Sequence, residues 1–310
     1  MKITNKHCLP EPLVQAITWD LRKREGFSVT DLINPPRITQ LQRRHWDELE
    51  EDASDRIWVL LGSAIHYVLA KSDIPDSRKE QQLKIEIDGI EITGRPDLCH
   101  NGSKDDYKIT SVWNIVYEPN GREEWHSQLN LYNYLDYQAT GEFAEKLQVC
   151  AILRDWQQSK VGEHNYPTFP VAIINIPVWP VEKTESYLKE RIKLHLEAEK
   201  LPDEELPFCT PDDTWEKPTT YAVMKRGRQS AIRVFPTLQE AKKLMGAGLY
   251  LEVRKGKRTR CASYCEVNRF CNQFADYRKG LRVNKRQLVS SFSLGRGRVG
   301  VCTLALPNKE

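Results

Sequence analysis

The chain has 310 residues, 40% hydrophobic and 29% charged, a composition that fits a globular protein and excludes a disordered or fibrous one. It contains no apolar run of about 18 residues, as a spanning helix needs, and Met1 to Cys8 holds no apolar core of signal-peptide length, so a cytoplasmic protein without membrane contact is expected. The net charge of +3 conceals an asymmetry: residues 225–310 hold 20 Lys and Arg against 5 Asp and Glu, an excess of +15 on a body of −12. A basic block of this size points to an anionic polymer, nucleic acid first, with an anionic membrane surface as the other candidate.

In chain order, Val14, Ile17 and Leu21 recur at helical spacing beside Trp19 and predict a helical extension over residues 1–28. Pro35-Pro36 breaks the chain before a helix near Ile38–Glu50. A second helix is expected from about Ser54, its N-cap, to Ala70. Ile57, Leu60, Leu61, Ile65, Val68 and Leu69 give it an apolar face of period 3.6, and His66 lies in its latter half. Leu83 to Thr93 alternates strictly around Asp88-Gly89, a strong hairpin signal, and its second strand is expected to run on through Asp97 and Leu98. Asn101-Gly102 makes another turn before a strand over Asp106–Val112. On this reading Asp97 and Asp106 lie on neighbouring antiparallel strands, where their carboxylates can meet on one face.

A helix over residues 122–138 carries Trp125, Leu129, Tyr132 and Leu135. Leu147–Leu153 and Val171–Ile176 read as buried strands and Val181–Lys200 as a charged helix. Past Leu206 the character changes. Strands over Tyr221–Met224 and Ala231–Phe235, a helix over Thr237–Met245 and a strand over Tyr250–Arg254 make a small β-β-α-β unit between Cys209 and Cys261. Leu281–Glu310 is basic and rich in Ser and Gly, and is expected to be loosely ordered. Three regions follow: residues 1–205, a core with its N-terminal extension; 206–280, a cysteine-containing module; and 281–310, a basic tail.

The chemistry-bearing residues come in a fixed order: His66, Gly94-Arg95-Pro96-Asp97, Asp106-Tyr107-Lys108 and Gln128-x-x-x-Tyr132. Two acids and a histidine suit a hard divalent cation, and a lysine beside them can assist attack of water on a phosphodiester. An acid-x-Lys triplet alone carries little weight. Glu240-Ala241-Lys242 is another, on a predicted helix with no acidic strand before it. The joint order is what is specific, and it resembles the PD-(D/E)XK nuclease superfamily in its RecB-like exonuclease branch, over about residues 30–155 with a second piece near the C-terminus.

The resemblance implies an α/β fold with a restriction-endonuclease-like core, a central mixed sheet flanked by helices, followed by a small C-terminal β-β-α-β and cysteine-cluster module. It implies Mg2+ or Mn2+ held by His66, Asp97, Asp106 and the backbone carbonyl of Tyr107. Lys108 would orient the attacking water, or act as base if the site lowers its pKa. Gln128 and Tyr132 would contact phosphate or brace the site. Glu86 is a minor candidate for a second metal, and Glu91 reads as a solvated strand residue. Trp113 and Trp125 read as packing residues, with stacking on a base as the alternative.

Of eight cysteines, Cys8, Cys99, Cys150 and Cys302 are isolated, whereas Cys261, Cys265 and Cys271 form C-x3-C-x5-C. Without a secretion signal, such a cluster more often holds metal than disulfides. Three thiolates are one short of a closed zinc site or an iron–sulfur cluster. Cys209 is the expected fourth, because it opens the segment that the cluster closes, and Cys8 is the alternative. RecB-like nucleases of the AddB and CRISPR-associated kinds are similar, joining C-x2-C-x5-C to one distant cysteine around a [4Fe–4S] cluster. That likeness implies a structural [4Fe–4S] cluster in preference to Zn2+. The chain departs from it in the x3 spacing and in lacking a cysteine over Leu32–Arg37, where the family's distant cysteine falls.

The expected function is a metal-dependent DNA nuclease, chiefly an exonuclease acting on single strands or duplex ends. The resemblance places it in recombination, repair or phage DNA metabolism. No G-x-x-x-x-G-K-[ST] occurs, so unwinding would fall to a helicase or recombination partner. An endonuclease on the same scaffold and a non-catalytic nucleic-acid-binding protein are the alternatives.

Overall fold

The computed structural model describes residues 1–19, 21–23 and 26–280; the expectation for Leu281–Glu310 lies outside them. The described chain is a mixed α/β structure in which several sheets are flanked by helices. The largest sheet has five strands in the order Val171–Ile176, Lys146–Leu153, Ser103–Thr110, Leu98–His100, Arg78–Lys79. All neighbours are antiparallel except Ser103–Thr110 and Lys146–Leu153, which run parallel with Asp106 opposite Val149 and Lys108 opposite Ala151. A parallel pair needs a crossover, here the helices Val112–Tyr117 and Glu123–Thr140.

The crossover helix Glu123–Thr140 lies between two apolar clusters. Trp125 and Leu129 pack with Leu147, Val149, Ala151 and Leu153 of the strand Lys146–Leu153. Leu131 and Leu135 pack with Ile92, Leu188 and Ile192. Leu129 is 1% exposed, and truncating it to Ala should cost about 2–5 kcal/mol. The helix ends at Gly141, whose φ of +80° makes a left-handed cap that a side chain would oppose.

The alternating segment forms the expected hairpin, Leu83–Ile87 with Ile90–Gly94. Asp88 and Gly89 both have positive φ, +51° and +77°, as a tight turn matching strand twist requires. Asn101 and Gly102 repeat that pattern at +46° and +70°. The second strand does not continue through Asp97. It stops at Gly94, and Leu98–His100 belongs to the five-stranded sheet. Pro96 has no N–H to give a ladder, so the chain changes sheets at Arg95-Pro96-Asp97 and leaves Asp97 at the crossing.

The N-terminal region differs from a simple helical extension. Among the described residues of 1–28, only Glu11–Thr18 is helical. Lys2–Thr4 pairs in parallel with Glu50–Asp52, and Phe27–Ser28 pairs in parallel with Ile92–Thr93. A short helix, Val29–Ile33, follows, closed by a capping box between Ser28 and Asp31. The next helix is Pro36–Arg44, with proline at its first position, where the missing N–H costs nothing. Asp52, not Ser54, caps the turn ahead of the histidine helix, accepting from Ser54 N–H at 3.1 Å.

The histidine helix spans Ile57–Ala70, and none of its residues is buried. Val68, expected on an inward face, is 66% exposed. The helix is apolar on every side, so periodicity alone could not say which side faces inward.

Beyond Leu206, a two-stranded neck, Glu216–Lys217 with Lys257–Arg258, leads into a three-stranded sheet with Thr220–Lys225 at its centre between Arg233–Phe235 and Leu249–Arg254. Leu238–Lys243 is its helix, capped by Thr237. Gly256 sits in the neck where a Cβ would lie 2.2 Å from the Lys217 carbonyl, so only glycine fits. Among the described residues no helix is long and apolar enough to cross a membrane.

Candidate metal centre and cysteine site

Asp97, at the crossing between sheets, meets two partners from elsewhere. Its Oδ1 lies 3.3 Å from His66 Nδ1, and its Oδ2 accepts the Tyr107 N–H at 2.7 Å. Glu80 completes the group, with Oε1 3.2 Å from His66 Nδ1. His66, Glu80 and Asp97 each present a ligand atom within 4.8 Å of the other two, and they line one pocket together with Tyr107. Hydrogen bonds from Asp97 first and Glu80 second outweigh burial and raise the His66 pKa to about 10. Two carboxylates that favour an imidazolium so strongly would favour any cation placed between them.

Glu80 follows directly on the two-residue strand Arg78–Lys79. It takes a left-handed φ of +49° and donates its backbone N–H to the Asp97 carbonyl at 3.1 Å. Arg95 holds its other carboxylate oxygen at 3.0 Å. The short strand is fastened by a buried network. Arg78 pairs with both oxygens of Asp136, at 2.6 and 2.8 Å, and Lys104 reaches the same carboxylate. Burial alone would raise the Asp136 pKa, but these two cations outweigh it and hold it below the usual range.

Asp106 and Lys108 share one face of Ser103–Thr110, with Tyr107 on the other, as strand alternation dictates. Lys108 Nζ stands 2.8 Å from Asp106 Oδ2 as an ion pair and donates to Gln128 Oε1 at 2.9 Å. Gln128 Nε2 in turn donates to the Tyr132 hydroxyl at 3.0 Å. Burial raises the Asp106 pKa to about 6, opposed by Lys108 and assisted by the Asp97 charge. Burial works against the Lys108 ammonium, yet Asp106 and Asp97 prevail and raise its pKa. That direction is opposite to the one a lysine base needs, so Lys108 is placed to donate charge and hydrogen bonds. Gly94 belongs to the same construction: a Cβ there would meet Leu135 at 2.9 Å and Tyr132 at 3.0 Å, so its absence lets the hairpin seat against the helix that carries Gln128 and Tyr132.

The structure thus groups His66, Asp97 and Tyr107 in one pocket and joins Asp106, Lys108, Gln128 and Tyr132 in a second chain of contacts. Asp106 turns to Lys108 and stands outside the mutual 4.8 Å group. Glu80 is the residue that sequence reasoning missed. Glu86, opposite Glu91 on the hairpin, is not part of the group. Trp125 is a core residue at 7% exposure, while Trp113 is partly exposed and stacks on Tyr117 at 5.9 Å.

The cysteines form a second centre. Cys209, Cys261, Cys265 and Cys271 line one cavity with Arg37 and Ile38, and all four are free thiols. Cys8 is exposed and does not line that cavity. Burial, with charge from Asp213 and the other thiols, pushes Cys209 up to about 12, and burial pushes Cys265 up to about 11. Gathering these groups as thiolates therefore calls for a strong compensating cation. Gln273 braces Cys209 through both backbone groups, at 2.9 and 2.8 Å, and Asn268 donates to the Cys261 carbonyl at 2.9 Å. Arg37 is 1% exposed, bonds to the Leu206 and Pro207 carbonyls and points Nη1 at Cys271 Sγ, 4.0 Å away. The segment expected to lack a cysteine thus still reaches the cavity, and contributes a guanidinium. Leu41, Leu49 and Ala198 pack with Val267 and Phe274 to seat this region on the core.

No family model and no curated protein matches the chain. Among solved structures, SSO0001 is similar at 19% identity and a TM-score of 0.39, over 59% of this chain and 85% of that one.

Proposed function

We propose that this protein is a divalent-metal-dependent DNA nuclease of the PD-(D/E)XK type, in the RecB-like exonuclease branch. The observation that carries the reading is the convergence of His66, Glu80 and Asp97 in one pocket, beside an Asp106–Lys108–Gln128–Tyr132 chain of contacts. The donor set is carboxylate and imidazole, which suits Mg2+ or Mn2+. His66, Glu80 and Asp97 would hold the ion, and Asp106 is the further acid that the resemblance assigns to it. A bound ion of this kind supplies charge neutralisation at phosphorus and a more acidic water.

The chain's own residues would do the rest. Lys108 offers an ammonium, kept charged by Asp106, to the attacking water and the phosphoryl oxygens. Gln128 fixes the Lys108 ammonium from the far side, and Tyr132 fixes Gln128. Tyr107, through its N–H, holds the Asp97 carboxylate in orientation.

The four-cysteine cavity supports a structural cluster in residues 206–280. The preference for a [4Fe–4S] cluster over zinc comes from the resemblance.

Incubation of linear and circular DNA, single- and double-stranded, with Mg2+ or Mn2+ tests the reading. Degradation of linear DNA with sparing of circles is expected. Nicking of circles would move the assignment to an endonuclease, and binding without cleavage would remove the enzyme.

A further inference from the structure

Residues 220–258 carry ten Lys and Arg against two Glu. Charge alone is a weak sign, because surface cations are commonly paired. The helix Val181–Glu199 shows this: Lys189 meets Glu185 and Lys193 meets Glu197. Here the pairing is largely missing. Arg254 meets Glu252 and Arg258 meets Glu216, but among the described residues Lys225, Arg226, Lys242, Lys243, Lys255 and Lys257 form no ion pair, and all six are exposed.

Topology gathers part of this charge at one end. Lys225 lies opposite Leu249, whereas Thr220 lies opposite Arg254 beside the neck. The helix Leu238–Lys243 runs back from the end of Arg233–Phe235 toward the start of Leu249–Arg254. Lys225, Arg226, Arg228, Lys242 and Lys243 therefore sit at the end of the sheet away from the neck. Of the rings on this sheet, Tyr250, 42% exposed, lies at that end, opposite Met224. Tyr221 and Phe235 pair with each other nearer the neck, and Arg233 lies over the Phe235 ring, 5.1 Å from its centroid. A six-residue helix is too short to read a duplex groove, whereas rings and unpaired cations on a small sheet suit an unpaired strand with its bases available for stacking.

We propose that this β-β-α-β unit binds single-stranded nucleic acid, the substrate class of the nuclease reading above. The proposal rests on the nuclease reading for its purpose but not for its test. Fluorescence anisotropy with a labelled oligothymidylate, without added divalent metal, reads binding apart from cleavage. The triple variant Lys225→Ala, Arg226→Ala, Arg228→Ala should weaken affinity at least about tenfold near 0.1 M salt and reduce the slope of log affinity against log salt by about 2. Lys225→Arg, Arg226→Lys, Arg228→Lys should bind as wild type. Tyr250→Ala should lose about fivefold with the salt slope unchanged. Manganese-dependent hydrolysis of bis(p-nitrophenyl) phosphate, too small to reach the unit, should be equal in all of them.

Wild-type affinity in the triple alanine variant overturns the proposal. So does wild-type protein that binds phosphatidylserine vesicles but not oligothymidylate, which would make the patch a membrane surface. Loss of strand binding in the variant, with no hydrolysis of the small diester even by wild type, upholds this proposal and defeats the nuclease reading.

Discussion

His66 Nδ1 lies 3.2 Å from Glu80 Oε1, although the two residues belong to a helix and to the bend that follows a two-residue edge strand. Backbone pairing of Glu80 with Asp97 and the anchoring of Arg78 on Asp136 make the meeting. It adds a carboxylate to a pocket whose other members are spread along the chain.

Glu80→Gln keeps the shape and removes the charge. Calorimetric titration with Mn2+ should show affinity about tenfold weaker or worse, within the range for groups that ligate or orient a metal. Unchanged affinity would return Glu80 to a partner of Arg95 alone.

Lys108→Met should separate binding from chemistry. It removes the ammonium beside Asp106 and leaves His66, Glu80 and Asp97 in place. Cleavage should fall by about 10²–10³-fold, the usual loss on removing one stabilising donor, with Mn2+ affinity retained. Tyr132→Phe should cost less, because it only frees Gln128. Equal losses of metal affinity and rate in Lys108→Met would show a structural role.

The hairpin turns at Asp88-Gly89 and Asn101-Gly102 were legible because a positive φ is a local demand that a residue pair can announce. The helix Glu123–Thr140 was legible from the spacing of its core residues. Glu80 was not, because the preceding strand is too short to show alternation and the residue arrives through its own bond to Asp97 and the pairing of its neighbour Arg78 with Asp136. Lys2–Thr4 and Phe27–Ser28 escaped notice for the same reason: each is two or three residues long and pairs with a distant strand. Asp97 was identified by its motif but assigned to the wrong setting, a continuous strand, although Pro96 beside it marks the break.

Cys209→Ser and Cys8→Ser test the second centre. Anaerobically purified wild-type protein should be brown and contain iron and sulfide. Cys209→Ser, Cys261→Ser, Cys265→Ser and Cys271→Ser should lose iron, and proteolysis should then open residues 206–280 first, because the cluster closes the loop between Cys209 and Cys261. Cys8→Ser should retain full iron. A colourless protein with one zinc would replace the cluster by a zinc site.

Stability should fall below neutral pH through His195. This side chain is fully buried, its Nε2 lies 3.2 Å from the Leu32 and Asn34 carbonyls, and burial lowers its pKa to about 4. Between the ordinary value of 6.5 and about 4, the unfolded chain binds a proton that the folded one refuses, so acid favours unfolding across that window. The full effect is roughly 3 kcal/mol. Urea denaturation of His195→Gln against wild type from pH 7 to pH 4 should show a flatter decline in the variant, and parallel declines would remove His195 as the cause.

The proposed activity is hydrolysis of DNA at the pocket of His66, Glu80 and Asp97. The most direct measurement is the rate at which end-labelled single-stranded DNA is degraded by wild type and by Asp97→Asn, with Mn2+ or Mg2+ and again after chelation. Wild type should degrade the DNA with metal and stop on chelation, and Asp97→Asn should show little or no degradation at undiminished DNA binding. Equal degradation by both proteins, or none by wild type with either metal, would contradict it.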